Sequence, residues 1–248
     1  MKIKNIFGEN LDVLIEGNRR AEDIIILVHG FGTDKNEGFS SFIDFSAYFQ
    51  KQYLVIRFDQ SGYGKSEGNS EAFQFQKAAG DVDSVIRYTR KKFPTKSINI
   101  LAHSLGTFIV ALLSPYNIKK IIFTSIPNSN TEFILQQVQN RILQNGGTID
   151  ETGISRYVRS SGAIQLVGPD YWRTLRTFNP IEYIQELSSK TKLVIYKPIN
   201  DEVLEYKYFS AYKLLKGVEY HEIPGDHNFR KPSDRLALFQ QIDKFLKS

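Results

Sequence analysis

A hydroxyl, a carboxylate and an imidazole each stand just past a short strand-like run in this chain. Ser104 follows the run in "ILAHSLG" at 100–106, Asp201 ends "KLVIYKPIND", and His227 lies in "EYHEIPGDHNF". These three types can together do nucleophilic chemistry. A serine hydroxyl is a weak nucleophile until an adjacent base takes its proton, and a carboxylate can hold the imidazole tautomer and stabilise the imidazolium. A fourth run, "DIIILVHGFG", ends in His29-Gly30-Phe31-Gly32, where glycine lets the backbone approach a bound molecule closely. Ser104 as a simple helix cap is the competing reading, but a cap explains neither Gly106 nor the other loaded run ends.

The remaining polar candidates divide by position. The chain has 4 His. His221 falls inside a strand-like run and reads as structural, and His103 adjoins Ser104 on a turn, so its side chain points elsewhere. His29 precedes Gly30 and is expected to pin that loop by a hydrogen bond. Glu202 and Asp226 sit beside the acid and the base and are rival carboxylates.

These groups must be positioned by regular elements. Residues 2–7 and 11–16 read as two strands joined by "GEN", and 23–28, "YLVIRF", "INILA", "KKIIFTS", "KLVIY" and "EYHEI" as further strands. Helical patterns fall at 39–51, 71–93, 105–113, 131–144, 202–216 and 233–247, with short pieces over 148–189. Strands alternating with helices predict an α/β domain, a mostly parallel sheet covered on both faces. Ligands in such sheets bind at the carboxyl ends of the strands, which is where Ser104 falls.

The 248 residues, 41% hydrophobic and 24% charged, suit a single domain over 1–248 with a large core. The sequence has no Cys, which excludes disulfides and thiolate-held zinc and fits a reducing compartment. A net charge of +5 is spread along the chain with no basic and aromatic stripe, so no nucleic-acid partner is expected. The first residues lack a continuous apolar stretch, and no run approaches the ~18 needed to span a bilayer. A cytoplasmic protein, monomer or homodimer, without metal or cofactor, is the expectation.

The chain order Ser, Asp, His, each beyond a strand, is that of α/β-hydrolases. The chain resembles that family over nearly its whole length, through "HGFG" at 29–32, "DQSGYGKSEG" at 59–68, "AHSLG" at 102–106 and "GDHNF" at 225–229. Within the family it is similar to small serine carboxylesterases and cinnamoyl (feruloyl) esterases. The resemblance implies an α/β-hydrolase fold with a lid inserted after the sixth strand, at 127–189. It implies a Ser104, His227, Asp201 triad, oxyanion donors at the backbone N–H groups of Phe31 and Leu105, and Asp59 as a structural residue of its loop. A small-molecule ester is the implied substrate. Thioesters, amides, peptides or carbon–carbon bonds use the same triad, and a non-catalytic binding protein can share the fold. Tyr171, Trp172 and Phe178 either line an acyl or aryl pocket or form the lid's own core. Two positions depart from the family pattern: Ala102 stands where a glycine is usual, and Lys197-Pro198-Ile199 precede the acid where a glycine is common.

Overall fold

Every other residue of the central strands faces the opposite side of the sheet, and both sets are apolar, so both faces must be covered. The computed structural model describes residues 1–113, 117–159, 162–205 and 207–248. In chain order the strands are β1 (Lys2–Lys4), β2 (Asn10–Gly17), β3 (Asp23–Val28), β4 (Leu54–Phe58), β5 (Ser97–His103), β6 (Ile118–Thr124), β7 (Ser155–Val158), β8 (Ile164–Val167), β9 (Lys192–Pro198) and β10 (Val218–Ile223). Among the described residues they form an 8-stranded sheet in the order β1-β2-β4-β3-β5-β6-β9-β10, with β7 and β8 as a separate hairpin. β1 and β2 run antiparallel to their neighbours; from β4 to β10 all pairings are parallel.

The helices are α1 (Ser41–Phe49), α2 (Phe75–Lys92), α3 (Gly106–Ala111), α4 (Thr131–Gln144), α5 (Pro169–Thr177), α6 (Pro180–Lys190), α7 (Ser210–Lys213) and α8 (Pro232–Lys247). Ile25 and Leu27 of β3 pack with Phe42, Phe45 and Phe49 of α1 and Leu238, Phe239 and Ile242 of α8. Ile24, Ile26 and Val28, on the other face, pack with Phe75, Val82 and Val85 of α2 and Phe108 and Ile109 of α3. The expected two-sided α/β layering is the architecture observed.

Several elements differ from their sequence-based expectation, among them the helix expected at 71–93, which begins at Phe75 after extended Phe73 and Gln74. The first strand stops at Lys4 rather than residue 7, because Asn5 Oδ1 accepts the N–H groups of Phe7 and Glu9, each at 2.9 Å, and turns the chain. The helix expected at 39–51 begins at Ser41, after Glu37, Phe39 and Ser40 take left-handed backbone angles. The expected helix 202–216 is reduced to α7, because Arg141 of α4 donates to Val203 O at 3.1 Å and Lys207 N–H turns to Glu205 O.

The connection from β6 to β9 carries α4, the β7–β8 hairpin, α5 and α6. α6 is its crossover helix, with Ile184 and Leu187 in the core beneath the sheet. The hairpin lies over the loop that follows β3: Arg159 Nη1 donates to Phe31 O at 3.2 Å and to Gly32 O. Among the described residues, no helix is long and apolar enough to cross a membrane.

Candidate active site

Two residues, Ser104 and Leu105, separate the end of β5 from the start of α3. So short a turn forces Ser104 into left-handed backbone, φ 51°, which costs a non-glycine residue about 1–3 kcal/mol unless its surroundings impose it. They do. Ser104 N–H donates to Thr124 O at 3.0 Å on β6, and Ser104 O accepts the N–H and hydroxyl of Thr107 at 3.0 and 2.7 Å. Gly106 is needed two residues later because α3 crosses β3 closely: a Cβ there would lie 2.7 Å from both Val28 O and His29 O. Ala102, by contrast, fits its place, fully buried in the core.

His227 reaches the serine from the loop between β10 and α8, and each of its polar groups has a partner. Nε2 lies 3.1 Å from Ser104 Oγ, and Nδ1 lies 3.0 Å from both Asp201 oxygens. Its backbone N–H donates to Glu202 Oε2 at 3.0 Å, and its carbonyl accepts from Ser125 Oγ at 2.7 Å. Ser125 itself is left-handed, φ 51°, at the end of β6. Of the three carboxylates near the base, Asp201 meets the ring. Glu202 takes the backbone and Arg230, and Asp226 turns to Arg230 at 2.6 Å.

Asp201 leaves β9 by a tight turn in which Oδ1 accepts the N–H groups of Val203 and Leu204 at 3.0 and 2.9 Å. Oδ2 accepts from Lys197 Nζ at 2.9 Å. Burial alone would raise its carboxyl, but the charge and hydrogen bond of His227, then those of Lys197, outweigh burial and hold it well below the usual carboxylate range. It is therefore the ionised member that an imidazole can lean on.

The loop after β3 is fixed from several sides. The Gly30 backbone passes so near that a Cβ would sit 3.0 Å from Ser104 Cβ. Gly30 N–H donates to Glu37 Oε2 at 2.5 Å, while His29 Nε2 accepts the Gln60 N–H at 3.0 Å. Glu37 is buried; burial raises its carboxyl, but His103, His29 and the N–H groups of Gly30 and Gly38 together lower it. Asp59 accepts from Lys35 N–H and Nζ, both at 2.7 Å, and from Lys65 N–H at 2.8 Å, securing the turn beyond β4. Phe31 and Leu105 follow Gly30 and Ser104 directly, so their N–H groups belong to the two backbone segments that meet at the hydroxyl.

The other expected residues fall as follows. Tyr171, Trp172 and Phe178 are 2%, 1% and 5% exposed, within the main core. Tyr171 meets the Phe31 ring at 4.8 Å between centroids, and Phe178 meets Phe108 at 4.6 Å. His221, on the edge strand β10, has a half-exposed side chain stacked on Tyr196. His103 is buried, with Nδ1 3.0 Å from Thr124 Oγ1 and its ring 5.1 Å from that of His227. The contacts of Lys197, Ser125 and Glu37 went unforeseen. The one signal available was Lys197, a lysine inside a run otherwise suited to a buried strand. Among the described residues, no group of three or more His, Cys, Asp or Glu is placed to hold a metal ion.

A serine whose hydroxyl faces an imidazole backed by an ionised carboxylate, on a strained strand–helix turn, is an arrangement able to attack an electrophilic carbon. The model of the alpha/beta hydrolase fold family matches residues 23–149, and the chain belongs to that family. Among solved structures, Est1E from Butyrivibrio proteoclasticus with ferulic acid bound is similar at a TM-score of 0.76 and 19% identity, over 99% of this chain and 97% of that one. The Pyrococcus furiosus esterase Pf2001 gives 0.73 and 14% over 100% and 89%. Alpha/beta hydrolase domain-containing protein 10 from mouse gives 0.66 and 17% over 100% and 98%. At these identities the likeness is one of fold. Comparison with curated protein sequences finds no match.

Proposed function

We propose that this chain is a serine esterase that cleaves carboxylic esters of small to medium acyl or aryl-acyl groups. His227 Nε2 takes the Ser104 proton as Oγ attacks the ester carbonyl carbon, and Asp201 stabilises the imidazolium. The oxyanion is received by the N–H groups of Phe31 and Leu105; one such donor is typically worth ~10²–10³ in turnover. Collapse of the tetrahedral species breaks the bond to the alcohol, which leaves with the proton from His227. Water, deprotonated by the same imidazole, then attacks the acyl carbon, releasing the acid and restoring Ser104.

The observation that carries this reading is the line from Ser104 Oγ through His227 to Asp201, at 3.1 and 3.0 Å, beginning on a strained turn. The family likeness supports ester chemistry, and the ferulic acid bound to Est1E supports an aryl-acyl group. We read 127–189 as the lid. Its hairpin touches the Phe31 loop, its α4 touches the Asp201 loop through Arg141, and Tyr171 touches the Phe31 ring.

A fluorophosphonate reacts rapidly only with a serine whose base and oxyanion site are assembled. Labelling followed by peptide mass mapping should give a single adduct on Ser104, absent in Ser104→Ala. A folded protein that takes no label, or takes it elsewhere, would refute the proposal.

A further inference from the structure

Asp201 does not serve His227 alone. The Lys197 side chain that shares its Oδ2 is 0% exposed, against 2% for Asp201. Lysine is almost never fully buried, and desolvating an ammonium is costly even after the protein relaxes. The carboxylate has little structural need of it, because two backbone N–H groups and the imidazole already satisfy Asp201. Beyond the carboxylate, the ammonium faces the Phe209 ring at 4.4 Å.

We propose that Lys197 is a positioning residue that acts through Asp201, offsetting the carboxylate's charge so that His227 stays neutral, and able to accept a proton, at more acidic pH than an Asp–His pair alone permits. The inference rests on the esterase reading and names the working pH range of that site.

The charges around the imidazole support the assignment. Glu202, on the loop after β9, spends its carboxylate on the His227 backbone N–H and on Arg230 at 2.8 Å. Asp226, on the histidine's own loop, is paired with the same arginine. From β5, His103 faces His227 across 5.1 Å; burial lowers it to about 4, so it adds no charge near neutrality. The buried carboxylate of Glu37, in the loop after β3, acts on His103. Lys197 is therefore the cation built against the triad acid. The sign follows directly: an ammonium disfavours a nearby imidazolium, and a charge within ~4–6 Å moves a titration by roughly 1–3 units.

The test is the pH dependence of the fluorophosphonate labelling rate at Ser104, in the wild type and in Lys197→Met, Lys197→Gln and Lys197→Arg. An NMR titration of the His227 ring in the same proteins provides a readout independent of substrate. Both neutral variants should move the acid limb, and the His227 titration, upward by about one pH unit, with Lys197→Arg unmoved. A folded, labelled Met or Gln variant whose limb and titration stay in place would overturn the proposal. So would failure of both neutral variants to fold while Lys197→Arg folds, since the lysine would then serve stability alone. If the wild type takes no label, the esterase reading fails, and the NMR titration still decides what Lys197 does to His227.

Discussion

Replacing His103 by Gln should flatten the acid side of the stability curve. His103 is 4% exposed, and burial in the core lowers its imidazole from 6.5 to about 4, only partly opposed by Glu37. Between those values the folded protein keeps the ring neutral while the unfolded chain protonates it. The unfolded state then binds more protons, so stability rises with pH across this window and is lost as pH falls from about 6.5 to about 4. The interval is worth about 3 kcal/mol, of which about 2 kcal/mol lies between pH 7 and pH 4.5. That is a large share of the roughly 5–15 kcal/mol that holds a domain folded.

The assay is urea unfolding at those two pH values, followed by fluorescence of Trp172, the 1 Trp of the chain and 1% exposed. Staying above pH 4.5 keeps the lowered Asp201 out of the comparison, since its contribution disappears only below its unfolded value of 3.8. Titrating groups not coupled to His103 are common to both proteins and drop out of the difference, and the coupling to the buried Glu37 is part of what the difference reads. The wild type should lose about 2 kcal/mol more than His103→Gln on acidification. Parallel losses would show that the buried ring is not held neutral, and the reasoning would fail.

Gly106→Ala should destabilise the protein by about 1–3 kcal/mol in thermal or urea unfolding, because the methyl would lie 2.7 Å from two backbone carbonyls that cannot turn aside. His227→Ala should abolish labelling and turnover with little change in melting temperature, whereas His221→Ala, half-exposed on an edge strand, should leave turnover largely intact. The reverse pattern in folded proteins would mean that the base is misassigned.

Much of the fold is written locally in the sequence. After their first residues, Asp23 and Lys192, "DIIILV" and "KLVIY" are apolar throughout because both faces of β3 and most of β9 are buried, and continuous apolar runs need no partner to be read. The turn at Ser104 is legible for the same reason: a buried strand and a buried helix with two residues between them leave one geometry. What escapes local reading is decided by partners far along the chain. Residues 202–216 have a helical pattern, but Arg141 takes the Val203 carbonyl that the first turn needs. Ser125 is one more serine in the sequence, and only the fold brings its hydroxyl to the His227 carbonyl, 102 residues away. Tyr171 and Phe178 can be recognised as apolar from sequence, but whether such rings meet a core or a pocket depends on how the insertion folds back. Both lie in the core.

Ser104 and His227 are separated by 123 positions, and the histidine arrives on the segment joining β10 to α8. Besides Asp201, Glu202 and Ser125, α8 holds that segment, with Phe239 against Phe45 and Arg235 binding Asp44 of α1 and the carbonyls of Phe229 and Asn228. Under the proposed chemistry, the hydroxyl is dormant in every chain that has yet to bring His227 to it, including one in which the segment from β10 to α8 is still to be synthesised. No half-built molecule carries an activated serine that could acylate or be acylated at random. Reactivity requires β10 and α8 to be in place, so the fraction of chains that take a fluorophosphonate counts those in which both have docked.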